Sequence, residues 1–147
     1  MIEASDWWRF YAAEISYFSA KVRPALRYKG VPFVEILPTP KAYREVIGPR
    51  TGLGFIPVIV TPADETWQDT SEILDALEAR LPTPPLYPKG PVQRITSVLL
   101  ELYADEMLVL PAMHYRWSFP ESVAKARADF AAASGDAQTA RLFADRM

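Results

Sequence analysis

Gly54-Phe55-Ile56-Pro57-Val58-Ile59-Val60-Thr61 is the stretch of sequence from which the fold is predicted. Its β-branched run, the turn residues that follow at 62–65 and the extended pair Thr66-Trp67 together predict a β-hairpin. Pro57 heads the first strand and cannot donate a ladder hydrogen bond, which leaves the backbone of Ile56 free to pair elsewhere. The sequence therefore predicts a docking edge at the start of this hairpin.

A helix is predicted directly after the hairpin, over residues 69–81. Asp69, with Glu72 three residues later, is a suitable helix start, and leucine and isoleucine recur at helical spacing until Pro82. The next stretch, 82–91, contains five prolines in ten residues, which is typical of a semi-rigid linker. We therefore predict a domain boundary in this linker and assign it to residues 82–90.

The sequence before the hairpin predicts a strand, a helix and a second strand. Trp7–Ala12 is rich in aromatic residues and Phe33–Leu37 alternates in polarity, as strands do. The amphipathic segment between them ends at Gly30. Because a helix tolerates proline in its first turn but not in its interior, Pro24 predicts that this helix begins near residues 19–21. Strand, helix and strand in succession require a parallel pairing.

Helices account for most of the remaining sequence. One short helix is predicted inside the long connection 38–53. Beyond the linker, Pro91 can begin a long helix with one apolar face, which Pro111 should kink. The alanine-rich segment from residue 121 to the end predicts two helices broken at Gly135-Asp136. The predicted fold class is thus an α/β domain followed by an all-α domain.

The composition is that of a globular protein, since half of the 147 residues are hydrophobic and 23% are charged. A net charge of −2 argues against nucleic acid and anionic membranes as partners. With neither an apolar run long enough to span a bilayer nor a signal peptide, we expect a cytoplasmic protein. The chain has no cysteine, so any thiol chemistry must use the thiol of a ligand, and we expect no metal site.

Ser16 is the strongest single candidate for chemistry. It lies between the predicted first strand and first helix, where a hydroxyl and free backbone amides stabilise an anion. A bound thiol, with an ordinary pKa of about 8.5, would ionise more readily at such a place. A serine before a helix is also a common helix cap, so this position alone is compatible with a structural role.

The Ile-Pro pair at the head of the hairpin and the acidic and hydroxyl pair at the following helix start resemble the glutathione site of the glutathione transferase family. The resemblance implies that Pro57 follows a cis peptide bond and that Ile56 pairs with the backbone of the glutathione cysteine. It also implies that Asp69 and Thr70 hold the γ-glutamyl end. Lys41, with other basic residues of the 38–53 connection, is a candidate for the glycyl carboxylate.

The segment around Ser16 resembles the activating-serine segment of serine-type glutathione transferases, in which the hydroxyl lies seven residues before the arginine matched by Arg23. Tyr17 departs from that pattern, because many relatives have proline or serine there. Other branches of the family use a tyrosine near the end of the first strand. Tyr11 and Tyr17 therefore remain alternatives to Ser16 as the activating hydroxyl.

The resemblance implies three segments: a thioredoxin-like glutathione domain at 1–81, the linker at 82–90 and an all-helical domain at 91–147. The family's helical domain is longer, so we expect this one to be incomplete. The implied function is conjugation of the glutathione thiolate to small electrophiles, with glutathione as co-substrate, a role in detoxification. The alternative is a non-catalytic glutathione-fold module used for binding or assembly. The sequence does not name the electrophile.

The resemblance also implies a homodimer in which the glutathione domain of one subunit packs on the first helices of the other. Asp105 is a candidate for reaching the partner's γ-glutamyl site, although a surface or intrahelical role is the simpler expectation. His114 is the single histidine. With no further ligand at metal-binding spacing, we expect it to be packed or hydrogen-bonded.

Overall fold

The architecture is that of a computed structural model, in which residues 6–133 are described. Its four strands are β1 (Trp8–Tyr11), β2 (Phe33–Ile36), β3 (Val58–Val60) and β4 (Thr66–Gln68). Its α-helices are α1 (Tyr17–Tyr28), α2 (Pro40–Ala42), α3 (Gly48–Thr51), α4 (Thr70–Arg80), α5 (Pro91–Glu106), α6 (Val109–Trp117) and α7 (Pro120–Ala133). A π-helical stretch, Tyr43–Ile47, joins α2 to α3, so the predicted short helix is a longer, continuous helical run.

The four strands form one mixed sheet in the order β2-β1-β3-β4. β1 and β2 are parallel, as the strand, helix and strand succession predicts, while β3 pairs antiparallel with both β1 and β4. The predicted hairpin is therefore confirmed. The sheet followed by helices is the predicted thioredoxin-like α/β fold with a helical region after it.

The core lies on both faces of the sheet because β1 and β3 are buried on both sides. On one face Phe10 and Ile59 pack against Leu26 of α1 and Leu77 of α4. On the other face lies a smaller cluster under the helical run at 40–51, formed by Tyr11, Ile47, Val58 and Val60. The apolar run of β3 is thus the centre of the domain, which explains why it has no polar position.

The predicted start of α1 near residues 19–21 is wrong, because the helix begins at Tyr17 and contains Pro24 in its interior. The Ser16 hydroxyl caps this helix by accepting a bond from the backbone N–H three residues on, at 3.1 Å. Pro24 leaves one carbonyl of the helix without its usual donor. The cap and the buried apolar face around Leu26 outweigh that loss.

The predicted kink at Pro111 is also wrong. The long helix ends at Glu106, and α6 begins at Val109, so that Pro111 lies in the first turn of a new helix, where its missing N–H costs little. The predicted break at Gly135-Asp136 lies outside the described residues. Within residues 6–133, no helix is long and apolar enough to cross a membrane.

The linker at 82–90 is fixed to the domain by buried and partly buried polar contacts. The buried ammonium of Lys29 donates to Glu78 of α4 and to the carbonyls of Leu81 and Pro84. Farther along, the Arg94 guanidinium of α5 lies 3.4 Å from the ring centroid of Tyr87. These contacts fix the direction in which the helical region leaves the sheet.

Candidate functional site

A cleft of about 940 Å³ opens between the β-hairpin, the start of α4 and the length of α5. The residue pairs that the sequence predicts, Ile56 with Pro57 and Asp69 with Thr70, line one side of it. α5 supplies the opposite side through Val98, Leu102 and three acidic residues. The fold therefore brings the two predicted pairs into one site.

The Ile56-Pro57 peptide bond is cis, as the resemblance implies. Ile56 lies two residues before the first β3–β4 pair, which joins Val58 to Gln68, so its backbone lies beyond the ladder. The Gln68 side chain donates to the Phe55 carbonyl at 2.9 Å and holds the segment that leads into this bond. The backbone of Ile56 is thereby presented at the wall of the cleft.

Asp69 is the N-cap of α4 and has an unusual backbone conformation, with φ 68° and ψ 130°. A non-glycine residue in this region is strained, and such residues concentrate at functional sites. Its Oδ1 atom accepts from the backbone N–H groups of Ser71 at 2.9 Å and Glu72 at 3.3 Å. Within the described residues Oδ2 accepts no bond, which leaves it available to a cationic group of a ligand.

Thr70 is buried, and its hydroxyl accepts from the Lys21 ammonium of α1 at 3.0 Å. The same ammonium lies 2.6 Å from Asp105 and 2.7 Å from Glu101, both on α5. Lys21 also donates to the Ser71 hydroxyl at 3.2 Å. One cation therefore joins α1, the start of α4 and α5 at one end of the cleft.

The electrostatic environment at this end of the cleft favours the charged forms of Lys21 and Glu101. Burial acts to lower the pKa of Lys21, but hydrogen bonds to Asp105 and Glu101 outweigh burial and leave its pKa raised. Burial likewise acts to raise the pKa of Glu101, and hydrogen bonds from Lys21 and Ser71 outweigh it, so the pKa is lowered. We name this group, Lys21 with Thr70, Ser71, Glu101 and Asp105, the lysine cluster.

Sequence reasoning missed Lys21, because nothing in the local pattern of α1 distinguishes it from an exposed lysine. Its partners come from two other helices that meet it after folding. Asp105 belongs to the same cluster in its own chain, so its role is interhelical and neither intrahelical nor that of a free surface residue. The prediction that Asp105 reaches a partner subunit's site stays a prediction.

An apolar cavity of about 450 Å³ lies next to the cleft, and Phe18 and Ile56 line both of them. Ser16 and Tyr17 line this apolar cavity at the start of α1. The Ser16 oxygen accepts the cap bond, so its O–H remains able to donate to a ligand. Ser16 thus lines the apolar cavity but not the cleft, and it lies two residues before Phe18, which lines both.

The two tyrosines named as alternatives have different surroundings. The Tyr17 hydroxyl donates to the Ala104 carbonyl of α5 at 2.7 Å, so its proton is used to hold α1 against α5. Tyr11 is buried in the core under the helical run at 40–51. Tyr43, which the sequence analysis did not select, also lines the apolar cavity, and burial raises the pKa of its hydroxyl.

The structure places Lys41 outside both the cleft and the apolar cavity. Its side chain is exposed and its ammonium lies 3.9 Å from Glu45. Arg50 is the basic residue of this region that lines the cleft, and it donates to Asp64 at 2.7 Å and to Thr66 at 3.1 Å. The hydrogen bond from Arg50 lowers the pKa of Asp64.

His114 is hydrogen-bonded, as expected, with 2.8 Å between its Nδ1 and the hydroxyl of Ser118. Its ring also packs edge-on against Tyr115 and Phe119. In residues 6–133 no group of three or more histidine, aspartate or glutamate side chains could hold a metal ion.

A profile of the glutathione S-transferase N-terminal domain matches residues 10–85. This match spans more than half of the 147 residues, and the chain belongs to the glutathione S-transferase family. A comparison with curated protein sequences found no match.

Solved structures of the family resemble this chain over much of its length. A glutathione S-transferase from Methylobacterium radiotolerans, in complex with glutathione sulfonate, has 26% identity and a TM-score of 0.63 over 86% of this chain. A glutathione S-transferase from Rhodospirillum rubrum F11 has 26% identity and a TM-score of 0.61 over 67% of it. The beta-etherase LigF from Sphingobium shares the fold, with 19% identity over 77% of this chain and 48% of its own and a TM-score of 0.65. The chain spans 63% and 45% of the first two proteins.

Proposed function

We propose that this chain binds glutathione in the cleft and transfers its thiolate to a small electrophile held in the apolar cavity. The observation that carries the proposal is that the two spaces share Phe18 and Ile56, and that Ser16 lines the apolar one. A polar tripeptide and an apolar second substrate need adjoining sites of different character. The reacting sulfur has to lie where these sites meet.

The cleft has suitable groups for each end of the tripeptide. At the start of α4 the Thr70 hydroxyl can donate to the γ-glutamyl carboxylate, and the Asp69 carboxylate can accept from the γ-glutamyl ammonium. The backbone of Ile56 can pair with the cysteine residue. Arg50, which lines the cleft, replaces Lys41 as the candidate for the glycyl carboxylate. The complex of the Methylobacterium relative with glutathione sulfonate supports glutathione as the ligand.

Ser16 acts on the sulfur in this proposal. Its hydroxyl donates a hydrogen bond to the thiolate, and the N-terminal end of α1 adds its positive dipole. The thiol proton is lost to solvent. The sulfur then forms a bond to the electrophilic carbon, and the leaving group departs with the electron pair of the bond that breaks.

Replacing Ser16 with alanine tests this assignment. We expect Ser16→Ala to raise the pKa of the bound thiol and to lower kcat about tenfold or more, with little change in glutathione affinity. The thiolate absorbance of the complex as a function of pH reports the pKa, and a panel of generic electrophiles reports the rate. Ser97→Ala, on α5 but outside the residues that line either space, is the control and should leave the thiol pKa and the rate unchanged.

The competing assignments give different results. If Tyr17→Phe or Tyr11→Phe abolishes conjugation while Ser16→Ala does not, the activating hydroxyl is that tyrosine. Retention on immobilised glutathione without conjugation of any electrophile in the panel would contradict the enzymatic proposal. That result would favour the non-catalytic binding module.

A further inference from the structure

Arg116 is the one charged side chain among the residues that line the described part of the apolar cavity. It lies on α6 and is half-buried, and its Nη2 atom donates to the Ile15 carbonyl at 2.9 Å. This bond fixes the guanidinium beside the segment that joins the end of β1 to the start of α1. Ser16 lies in the same segment. The rest of the wall is largely apolar and aromatic, including Tyr17, Phe18, Tyr43, Met113 and Phe130.

The charge of Arg116 has no carboxylate partner within 4 Å among residues 6–133. By contrast, Arg23, Arg50 and Arg94 each form an ion pair. Arg27 and Arg127 also lack one in the described part of the chain, but both are exposed to water, which solvates them. Among the described residues, Arg116 is therefore a cation that is partly removed from water and has no neutralising carboxylate.

A guanidinium carries five N–H donors in a planar fork that matches a carboxylate. The bond from Arg116 to the Ile15 carbonyl uses one of these five donors. In an apolar cavity an anion that bonds to the free donors gains more than it would in water, because the local dielectric is lower. The volume of about 450 Å³ is within the range of small-molecule sites.

We propose that the apolar cavity selects aromatic electrophiles that carry a carboxylate, and that Arg116 binds this group while the aromatic wall holds the ring. This inference rests on the proposed function and names its second substrate class. The reactive carbon then faces Ile56 and the glutathione sulfur, and the carboxylate is anchored at the Arg116 side of the cavity. Arg116 is thus a specificity-determining residue.

A matched pair of substrates tests the inference: chlorodinitrobenzoate, which is anionic, and its neutral methyl ester. In both, the thiolate sulfur forms a bond to the ring carbon that bears chlorine. The carbon–chlorine bond breaks, and chloride leaves with the electron pair. The carboxylate or ester does not react, so the two substrates differ at the group that Arg116 is expected to bind.

We expect KM for the benzoate to be about tenfold lower than KM for the ester in the unmodified protein. Arg116→Gln should remove this preference by raising KM for the benzoate while leaving KM for the ester little changed. Arg116→Lys, which keeps the charge, should retain part of it. Arg127→Gln, an exposed arginine of α7 outside both spaces, is the matched control and should keep the full preference.

Two results would overturn the inference. One is equal KM for the two substrates in the unmodified protein. The other is an equal loss of kcat/KM for both substrates in Arg116→Gln, which would mean that Arg116 acts on the thiolate and not on the electrophile.

Binding without reaction separates this inference from the proposed function. Dinitrobenzoate and its methyl ester lack the chlorine that leaves in the reaction. Calorimetric titration with these two compounds therefore measures their affinity for the apolar cavity without any conjugation. Tighter binding of dinitrobenzoate that is lost in Arg116→Gln supports the inference even if no conjugation occurs, in which case the proposed function fails. Equal affinity for the two compounds overturns the inference whether or not the protein conjugates electrophiles.

Discussion

Lys21 shows how one residue organises the hydroxyls of the site. An ammonium group has donors and no acceptor, so the Thr70 hydroxyl must accept from it and must direct its own proton elsewhere. The Ser71 hydroxyl accepts from Lys21 in the same way and donates to Glu101 at 2.8 Å. The lysine cluster thus leaves the Thr70 proton able to donate to an anionic group in the cleft.

Replacing Lys21 with methionine should destabilise the fold and change its pH dependence. Near neutral pH we expect a loss of about 2 kcal/mol in the free energy of unfolding, because two partly buried carboxylates lose their common donor. The lowered pKa of Glu101 means that its contribution is present above its ordinary pKa of 4.5 and is lost as pH falls through the folded value. The difference between the two proteins should therefore shrink as the pH is lowered from neutral to below 4.5.

Urea unfolding at neutral and acidic pH measures this difference. Lys41→Met is the control, since Lys41 is exposed and its ion pair with Glu45 spans 3.9 Å, and it should cost less than about 0.5 kcal/mol at either pH. A difference for Lys21→Met that does not change with pH would show that the pairing with Glu101 contributes little.

At the scale of elements, the end of α4 and the linker depend on Lys29. The buried ammonium satisfies the carbonyls of Leu81 and Pro84 as well as Glu78. Pro82 prevents the helix from continuing, so these carbonyls have no helical donor to replace the lysine. The contact therefore sets the angle at which α5 leaves the α/β domain.

Lys29→Met should cost about 3–5 kcal/mol of stability, because it leaves the carbonyls of Leu81 and Pro84 without their donor and Glu78 without its cation. Chemical denaturation monitored by far-ultraviolet circular dichroism measures the loss. Lys125→Met is the matched control, since Lys125 is an exposed lysine paired with Asp129 within α7, and we expect a change of less than about 0.5 kcal/mol. Comparable losses in the two variants would contradict the role given to Lys29.

At the scale of the whole molecule, α5 exposes a stripe of apolar side chains at helical spacing. Val92, Ile95 and Leu99 are 75%, 62% and 58% exposed. Together with further exposed apolar residues on α5 and α6, they form a patch of the kind that marks an interface. We therefore keep the prediction that the protein is a homodimer through this helical face.

Sedimentation equilibrium at micromolar concentration tests the prediction. We expect a dimer mass for the unmodified protein and a monomer mass for Leu99→Glu, because a carboxylate in an apolar interface loses its hydration without gaining a partner. Leu37→Glu is the control, since Leu37 is also an exposed leucine but lies at the end of β2, away from α5, and it should remain dimeric. A monomer mass for the unmodified protein would reject the interface.

The sequence by itself determined the elements that local chemistry specifies. The hairpin, the helix that Asp69 caps, the end of α1 at Gly30 with φ +67° and the parallel pairing of β1 and β2 follow from side-chain shape, capping and turn chemistry. Ile56 with Pro57, at the head of the hairpin, and Asp69 with Thr70, at the start of α4, could be selected as candidate site residues because they belong to these elements. The local rule for proline failed at Pro24, where the Ser16 cap and the buried face of α1 outweighed it, while Pro111 lies in the first turn of a new helix instead of kinking the long one.

The tertiary structure alone decided which distant residues meet. Lys21, Lys29 and Arg116 act through partners on other elements, and their own sequence neighbourhoods are those of ordinary surface residues. Lys41 and Arg50 belong to the same connection, yet the backbone path places Arg50 in the cleft and Lys41 in solvent. The physical reason is that periodicity and capping act over a few residues, whereas charge pairing and cavity shape depend on distances through space that folding sets.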